Sequence, residues 1–204
     1  MDITINQTST ALIVVDVQNG FVDGNLAVAG SKSIIPRINR LISQFEHVIL
    51  TQDYHPANHI SFYQNHAGAK PFDVIDLPYG KQVLWNAHCV QGTTDAEFYA
   101  DLQATKAELI IRKGYHADID SYSAFIEADR STTTGLAGYL KERAIDTVYI
   151  VGIATDYCVA WTAIDAVAAG FDCTVILDAC AAIDVNGSLD KAMADMQAVG
   201  VKFA

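Results

Sequence analysis

The sequence predicts an α/β protein: a doubly wound, mainly parallel sheet of about six strands flanked by helices. Three observations lead there. Short runs rich in Val, Ile and Leu recur without the in-and-out alternation of a strand wetted on one face, the pattern of strands buried on both faces. Segments with apolar residues at helical spacing lie between those runs, and strand–helix–strand order implies right-handed crossovers between parallel strands. Of 204 residues 51% are hydrophobic, enough for one sizeable core, so residues 1–204 are expected to form a single domain.

The first strand is expected over residues 11–17. A helix follows, with Ile34, Ile35, Ile38, Leu41, Ile42 and Phe45 on one stripe, Ser33 as N-cap and Pro36 in the opening turns. Strands are expected at residues 47–53, 108–113, 146–152 and 171–179. Helical patterns cover residues 133–143, a stretch from near Asp156 to Gly170, and residues 187–199. Residues 201–203 add a last short strand or a frayed end. Two connections, residues 54–107 and 114–131, are too long for simple turns and rich in polar and aromatic residues, which marks them as functional loops.

Thirteen Lys and Arg against 24 Asp and Glu give a net charge of -11, which disfavours nucleic acid and anionic lipid as partners and leaves a small neutral molecule. The early apolar run 11–15 is stopped by Asp16, so neither a secretory segment nor a membrane span is expected, and the chain is placed in the cytoplasm. Cys89, Cys158, Cys173 and Cys180 lack CxxC spacing and are expected to be reduced.

In open parallel sheets ligands bind beyond the carboxyl ends of the strands, and there Asp16, Asp53, Lys113 and the segment leading to Cys158 converge. Asp16 ends an apolar strand, where desolvation raises a carboxyl pKa unless a cation is near, making it a candidate proton acceptor. Alone it reads better as a turn cap. Lys113 emerges at the same sheet edge and can pair with Asp16 across one strand spacing; alone it reads as a lysine snorkelling to water. Cys158 follows Gly152-Ile153-Ala154-Thr155-Asp156-Tyr157, a strand, a turn and a helix start, in the manner of a nucleophile elbow. A helix N-terminus there would favour the thiolate and supply N–H groups for an oxyanion, although a lone cysteine is more often inert core.

Asp53 and His55, two apart on extended chain, share a face; with His88 they form an oxygen-and-nitrogen set suited to one divalent metal, zinc first, with iron and manganese as alternatives. His59, His66 and Ser61 lie in the same loop and are left out of that set, while His47 and His116 are read as surface or satisfied polar contacts. Phe21, Trp85 and Tyr122 fall in the loops around these residues and can border a flat ring.

Together, Asp16-Val17-Gln18-Asn19-Gly20-Phe21, the segment Asp53-Tyr54-His55 to Phe62, Trp85 with His88-Cys89-Val90-Gln91-Gly92, Lys113-Gly114, Asp120-Ser121-Tyr122-Ser123-Ala124-Phe125, and Gly152 to Val159 resemble the nicotinamidase group of the isochorismatase-like cysteine hydrolases. The resemblance covers nearly the whole chain. It implies that Cys158 attacks the nicotinamide carbonyl, Asp16 moves the proton and Lys113 holds the ion-pair network. It further implies that Asp53, His55 and His88 hold a metal that takes the pyridine nitrogen, that Phe21, Trp85 and Tyr122 border the ring, and that backbone N–H groups of Ala154 and Cys158 form the oxyanion hole next to a cis Ile153–Ala154 peptide. A pyrazinamide side activity and NAD salvage follow from the same resemblance, with monomer and homo-oligomer both open. Two other readings stand beside it: a sister amidohydrolase acting on another small amide such as a carbamoyl compound, and a metal-binding scaffold without catalysis, which would have no reason to keep Asp16, Lys113 and Cys158 together.

Overall fold

A computed structural model describes residues 8–204. Its central sheet has six strands, β1 (Thr10–Val15), β2 (His47–Asp53), β5 (Leu109–Lys113), β6 (Thr147–Ile153), β7 (Asp172–Ala181) and β8 (Lys202–Phe203), in spatial order β5-β2-β1-β6-β7-β8. Every pairing in it is parallel. The order runs outward from β1 to β5 on one side and from β6 to β8 on the other, so the chain reverses direction between β1 and β6. A crevice opens at the carboxyl ends of strands at such a point. Asp16 follows β1 and Cys158 follows β6, which brings both to that crevice.

The helices are α1 (Asn19–Val22), α2 (Ser31–Gln44), α3 (Leu136–Glu142), α4 (Ala160–Ala168) and α5 (Ser188–Ala198). Alternation along β1 divides the core between the two faces of the sheet. Ala11, Ile13 and Val15 pack with Leu136 and Leu140 of α3, Ala163 of α4 and Met196 of α5, whereas Leu12 and Val14 pack with Ile35, Ile38 and Ile42 of α2. Both faces are therefore covered, as the unbroken apolar runs require. No helix among the described residues is long and apolar enough to cross a membrane.

The structure alters several expectations. Ser33 is not the N-cap of α2; Gly30 occupies that position at φ 80°, and the Ser33 hydroxyl donates back to the Gly30 carbonyl from inside the first turn. The helix expected from near Asp156 begins as one wide turn, Thr155–Val159, before α4. The long connection 54–107 contains an antiparallel hairpin, β3 (Val74–Leu77) and β4 (Gly80–Val83), whose strands are too short and too exposed to announce themselves by pattern. Residues 202–203 do pair with β7.

Gly152 decides how β6 ends. It pairs with Val15 at φ 119°, and a Cβ there would stand 2.1 Å from the Val15 carbonyl oxygen, so only glycine lets the two strands close. The next peptide but one, Ile153–Ala154, is cis.

Candidate active site

Lys113 has the least ordinary environment in the protein: an ammonium that is wholly buried. Strand register explains how it is reached. Lys113 on β5 pairs directly with Asp53 on β2, and Asp16 lies one strand further on, beyond β1. Lys113 and Asp16 are thus two strand spacings apart rather than one, and the long lysine side chain crosses β2 to reach Asp16. Its Nζ lies 2.5 Å from Asp53 Oδ1 and 2.9 Å from Asp16 Oδ2, donates to the Ser121 carbonyl at 3.2 Å, and sits 3.5 Å from Cys158 Sγ. Two carboxylates offset the cost of burying the cation, and the lysine is held charged, its pKa raised well above normal although burial by itself would lower it.

Asp16 is fixed from its other side. Thr51 donates to Asp16 Oδ1 at 2.5 Å, and the Asp16 amide donates back to the same hydroxyl at 3.1 Å. Asp16 Oδ2 lies 2.9 Å from the ammonium and has no other donor among the described residues. An oxygen of Asp16, an oxygen of Asp53 and Cys158 Sγ all fall within 4.8 Å of one another. Burial and the neighbouring Asp53 charge raise the Asp16 pKa, while Lys113 and Thr51 restrain the rise. The result is a dehydrated carboxylate with a spare lone pair beside a thiol, a competent base.

The thiol itself departs from expectation. Burial raises the Cys158 pKa well above normal; Lys113 opposes that, and Asp16 and Asp53 add to it. Dehydration next to two carboxylates thus favours the neutral thiol, against the thiolate that a helix N-terminus by itself would favour. Its proton must leave as the sulfur attacks, and Asp16 is the group placed to take it.

The second set of predicted residues also comes together. His55 Nε2 and His88 Nε2 lie 3.4 and 3.6 Å from Asp53 Oδ2. His55 Nδ1 contacts the Gly114 carbonyl at 2.9 Å and His88 Nδ1 the Asn86 carbonyl at 2.7 Å; since a carbonyl only accepts, each Nδ1 carries the proton. In the neutral rings both Nε2 lone pairs then face a carboxylate oxygen, an arrangement that calls for a cation in between. This donor set fits a divalent metal. Gly114 is required for it: at φ 60°, a Cβ would stand 2.3 Å from His55 Cε1. Gln18 holds Asp53 in place, donating to its carbonyl at 2.8 Å and accepting from its N–H at 2.8 Å.

His59 and Ser61 bond to each other at 2.7 Å, next to but outside the Asp53, His55 and His88 group. Burial and the His55 charge push the His59 pKa down to about 4. His47 and His116, which sequence left without partners, each meet a carboxylate, Glu108 and Glu127.

A small cleft is lined by Asp53, His55, His88 and Cys158 together with Phe21, Trp85 and Tyr122, while Asp16 and Lys113 are buried and do not line it. Trp85 Nε1 donates to the Tyr122 hydroxyl at 2.9 Å, which locks the two rings at right angles. Sequence reasoning missed four further lining residues: Leu26, Asp120, Tyr157 and Ile183. Asp120 and Tyr157 stood inside quoted motifs, and a closer reading of those could have found them. Leu26 and Ile183 carry no chemical signal, and only the folding of their loops brings them in.

Comparison with known proteins agrees with this geometry. Residues 10–204 match the isochorismatase domain. The chain is 67% identical to a nicotinamidase of Acinetobacter baylyi over 94% of its length and 90% of that protein. It superposes with a TM-score of 0.96 on a nicotinamidase/pyrazinamidase of Acinetobacter baumanii, at 64% identity, covering 98% and 97% of the two chains. A pyrazinamidase of Pyrococcus horikoshii, solved in complex with zinc, superposes with a TM-score of 0.78 at 36% identity, covering 96% and 98%. With a buried Asp–Lys–Cys group at the switch point of a parallel sheet, and a domain match from the first strand to the last residue, the chain belongs to the isochorismatase family.

Proposed function

We propose that this protein hydrolyses nicotinamide to nicotinate and ammonia through a thioester on Cys158, a reaction of NAD salvage, with pyrazinamide as a second substrate. The observation that carries the reading is a cleft lined by Cys158 together with Asp53, His55 and His88 and bordered by aromatic rings, with the buried Lys113 and Asp16 packed against the thiol. As Cys158 Sγ attacks the amide carbonyl carbon, Asp16 takes the thiol proton at Oδ2, and Lys113 keeps the site's charges balanced. Backbone N–H groups of Ala154 and Cys158 stabilise the oxyanion; both residues line the cleft. Asp16 returns the proton to the departing nitrogen, giving ammonia and an acyl thioester. A water then attacks the thioester, Asp16 again accepting the proton; the C–S bond breaks, Asp16 returns the proton to Cys158 Sγ, and the acid leaves as nicotinate.

Asp53, His55 and His88 would hold one divalent metal, zinc by analogy with the Pyrococcus protein, and that metal would supply Lewis-acid chemistry toward the ring nitrogen of the substrate. Phe21, Trp85 and Tyr122 orient the ring. A cytoplasmic enzyme acting on a small neutral amide suits the acidic composition. The metal set favours nicotinamide over carbamoyl substrates, which offer no ring nitrogen to it. The test is ammonia release from nicotinamide by purified protein, before and after chelation, with Cys158→Ala alongside. Turnover that chelation lowers and Cys158→Ala abolishes supports the reading; none in metal-replete protein overturns it in favour of another small amide.

A further inference from the structure

Asp156 is buried, and it lies in the turn that delivers the nucleophile, two residues before Cys158. Its hydrogen-bond partners lie in residues 183–188, and the mechanism above does not use it. Its carboxylate instead gathers the segment that follows β7. Ile183 N–H donates to Oδ1 at 3.0 Å, Asp184 N–H to Oδ2 at 2.8 Å, and the Ser188 hydroxyl to Oδ2 at 2.5 Å. Ser188 in turn accepts from Val185 N–H at 3.0 Å. Hydrogen bonds to a charged acceptor are the stronger kind, and three converge here from a stretch of six residues.

That stretch needs holding. Asp184, Asn186 and Gly187 have φ of 53°, 55° and 76°, a left-handed region that the two non-glycine residues enter only at a cost. Its first clasped residue, Ile183, lines the same cleft as Tyr157 and Cys158. One carboxylate therefore fixes the distance between an apolar wall of the substrate slot and the nucleophile.

We propose that Asp156 is a positioning residue that sets the slot's selectivity for ring size by clasping Ile183 to the nucleophile turn. The substrate class rests on the nicotinamidase reading; the clasp does not. Substitution by Asn keeps one acceptor oxygen but replaces the other with an N–H₂ group facing the Asp184 N–H and the Ser188 hydroxyl, so the wall loosens while Cys158, Asp16 and Lys113 are untouched.

The experiment compares kcat and KM for nicotinamide and for a ring-methylated nicotinamide in wild type, Asp156→Asn and Ile183→Ala. Asp156→Asn is expected to raise KM for nicotinamide about tenfold with kcat within about threefold, and to move the kcat/KM ratio of the two amides about tenfold toward the methylated one, the scale of one methyl group in a pocket. Ile183→Ala, which removes the wall and leaves the carboxylate, is expected to move the ratio the same way. A merely structural role for Asp156 would lower the active fraction and scale both substrates equally, and an unchanged ratio in Asp156→Asn overturns the proposal. Amide exchange at Ile183 and Asp184 reads the clasp without any substrate: faster exchange in Asp156→Asn, confined to that segment, is expected, and exchange as in wild type overturns it. Wild type inert toward nicotinamide would sink the substrate reading alone, leaving the exchange measurement to decide the clasp.

Discussion

Replacing Lys113 by Met tests the charge balance on which the site depends. The ammonium is fully buried between Asp16 Oδ2 at 2.9 Å and Asp53 Oδ1 at 2.5 Å. Methionine fills similar volume but leaves two carboxylates with oxygens within 4.8 Å of one another and no cation between them. At an effective dielectric of about 20, two unit charges at that distance repel by about 3.5 kcal/mol, within the ~3–5 kcal/mol expected when one partner of a buried ion pair is removed. The metal-free variant should therefore lose about 3–4 kcal/mol at pH 7, read as a lower urea midpoint at unchanged slope. Adding Asp16→Asn removes one of the two charges, so the double variant should be more stable than Lys113→Met alone by about 2–3 kcal/mol, a sign opposite to that of most second mutations. The pH dependence has a definite direction. Lys113 holds down the pKa values of Asp16 and Asp53, so its removal raises both, the folded variant binds protons more tightly than folded wild type, and lowering pH toward the carboxylate range should shrink the deficit of Lys113→Met. A double variant no more stable than Lys113→Met would refute the reasoning.

Three other outcomes follow from the same geometry. Gly114→Ala places a methyl 2.3 Å from the His55 ring, at a φ unfavourable to alanine, and should lower metal affinity about 10- to 100-fold, measured by competition with a chelator; affinity equal to wild type would remove Gly114 from the site. Asp16→Asn should abolish the acylation burst with nicotinamide, because the neutral thiol loses its proton acceptor; a burst of wild-type size would mean another group takes the proton. In wild type, alkylation at neutral pH should spare Cys173 and Cys180, whose pKa values burial pushes up to about 12, so peptide mapping that finds either one modified first would contradict the burial argument.

What the sequence determined by itself was whatever is written locally. Unbroken runs such as Leu12-Ile13-Val14-Val15 can only be strands covered on both faces, and the stripe Ile34, Ile35, Ile38, Leu41, Ile42 can only be a helix lying on one of them, so the sheet, its layers and the crevice were legible. Polar residues that interrupt such runs at their carboxyl ends marked Asp16, Asp53 and Lys113, and the Asp-x-His spacing marked Asp53 and His55 as candidate metal ligands. The tertiary structure decided whatever depends on distance between elements remote in sequence. Strand order put β2 between Lys113 and Asp16, so the ion pair crosses two spacings and takes in Asp53. Close packing made the Cys158 environment dry, and close to two carboxylates, which raises the thiol pKa against the helix N-terminus effect that sequence suggested. The Ile183 wall and its Asp156 clasp had no signal at all, because an isoleucine in a loop looks like any other until the backbone N–H it carries finds a carboxylate 27 residues away.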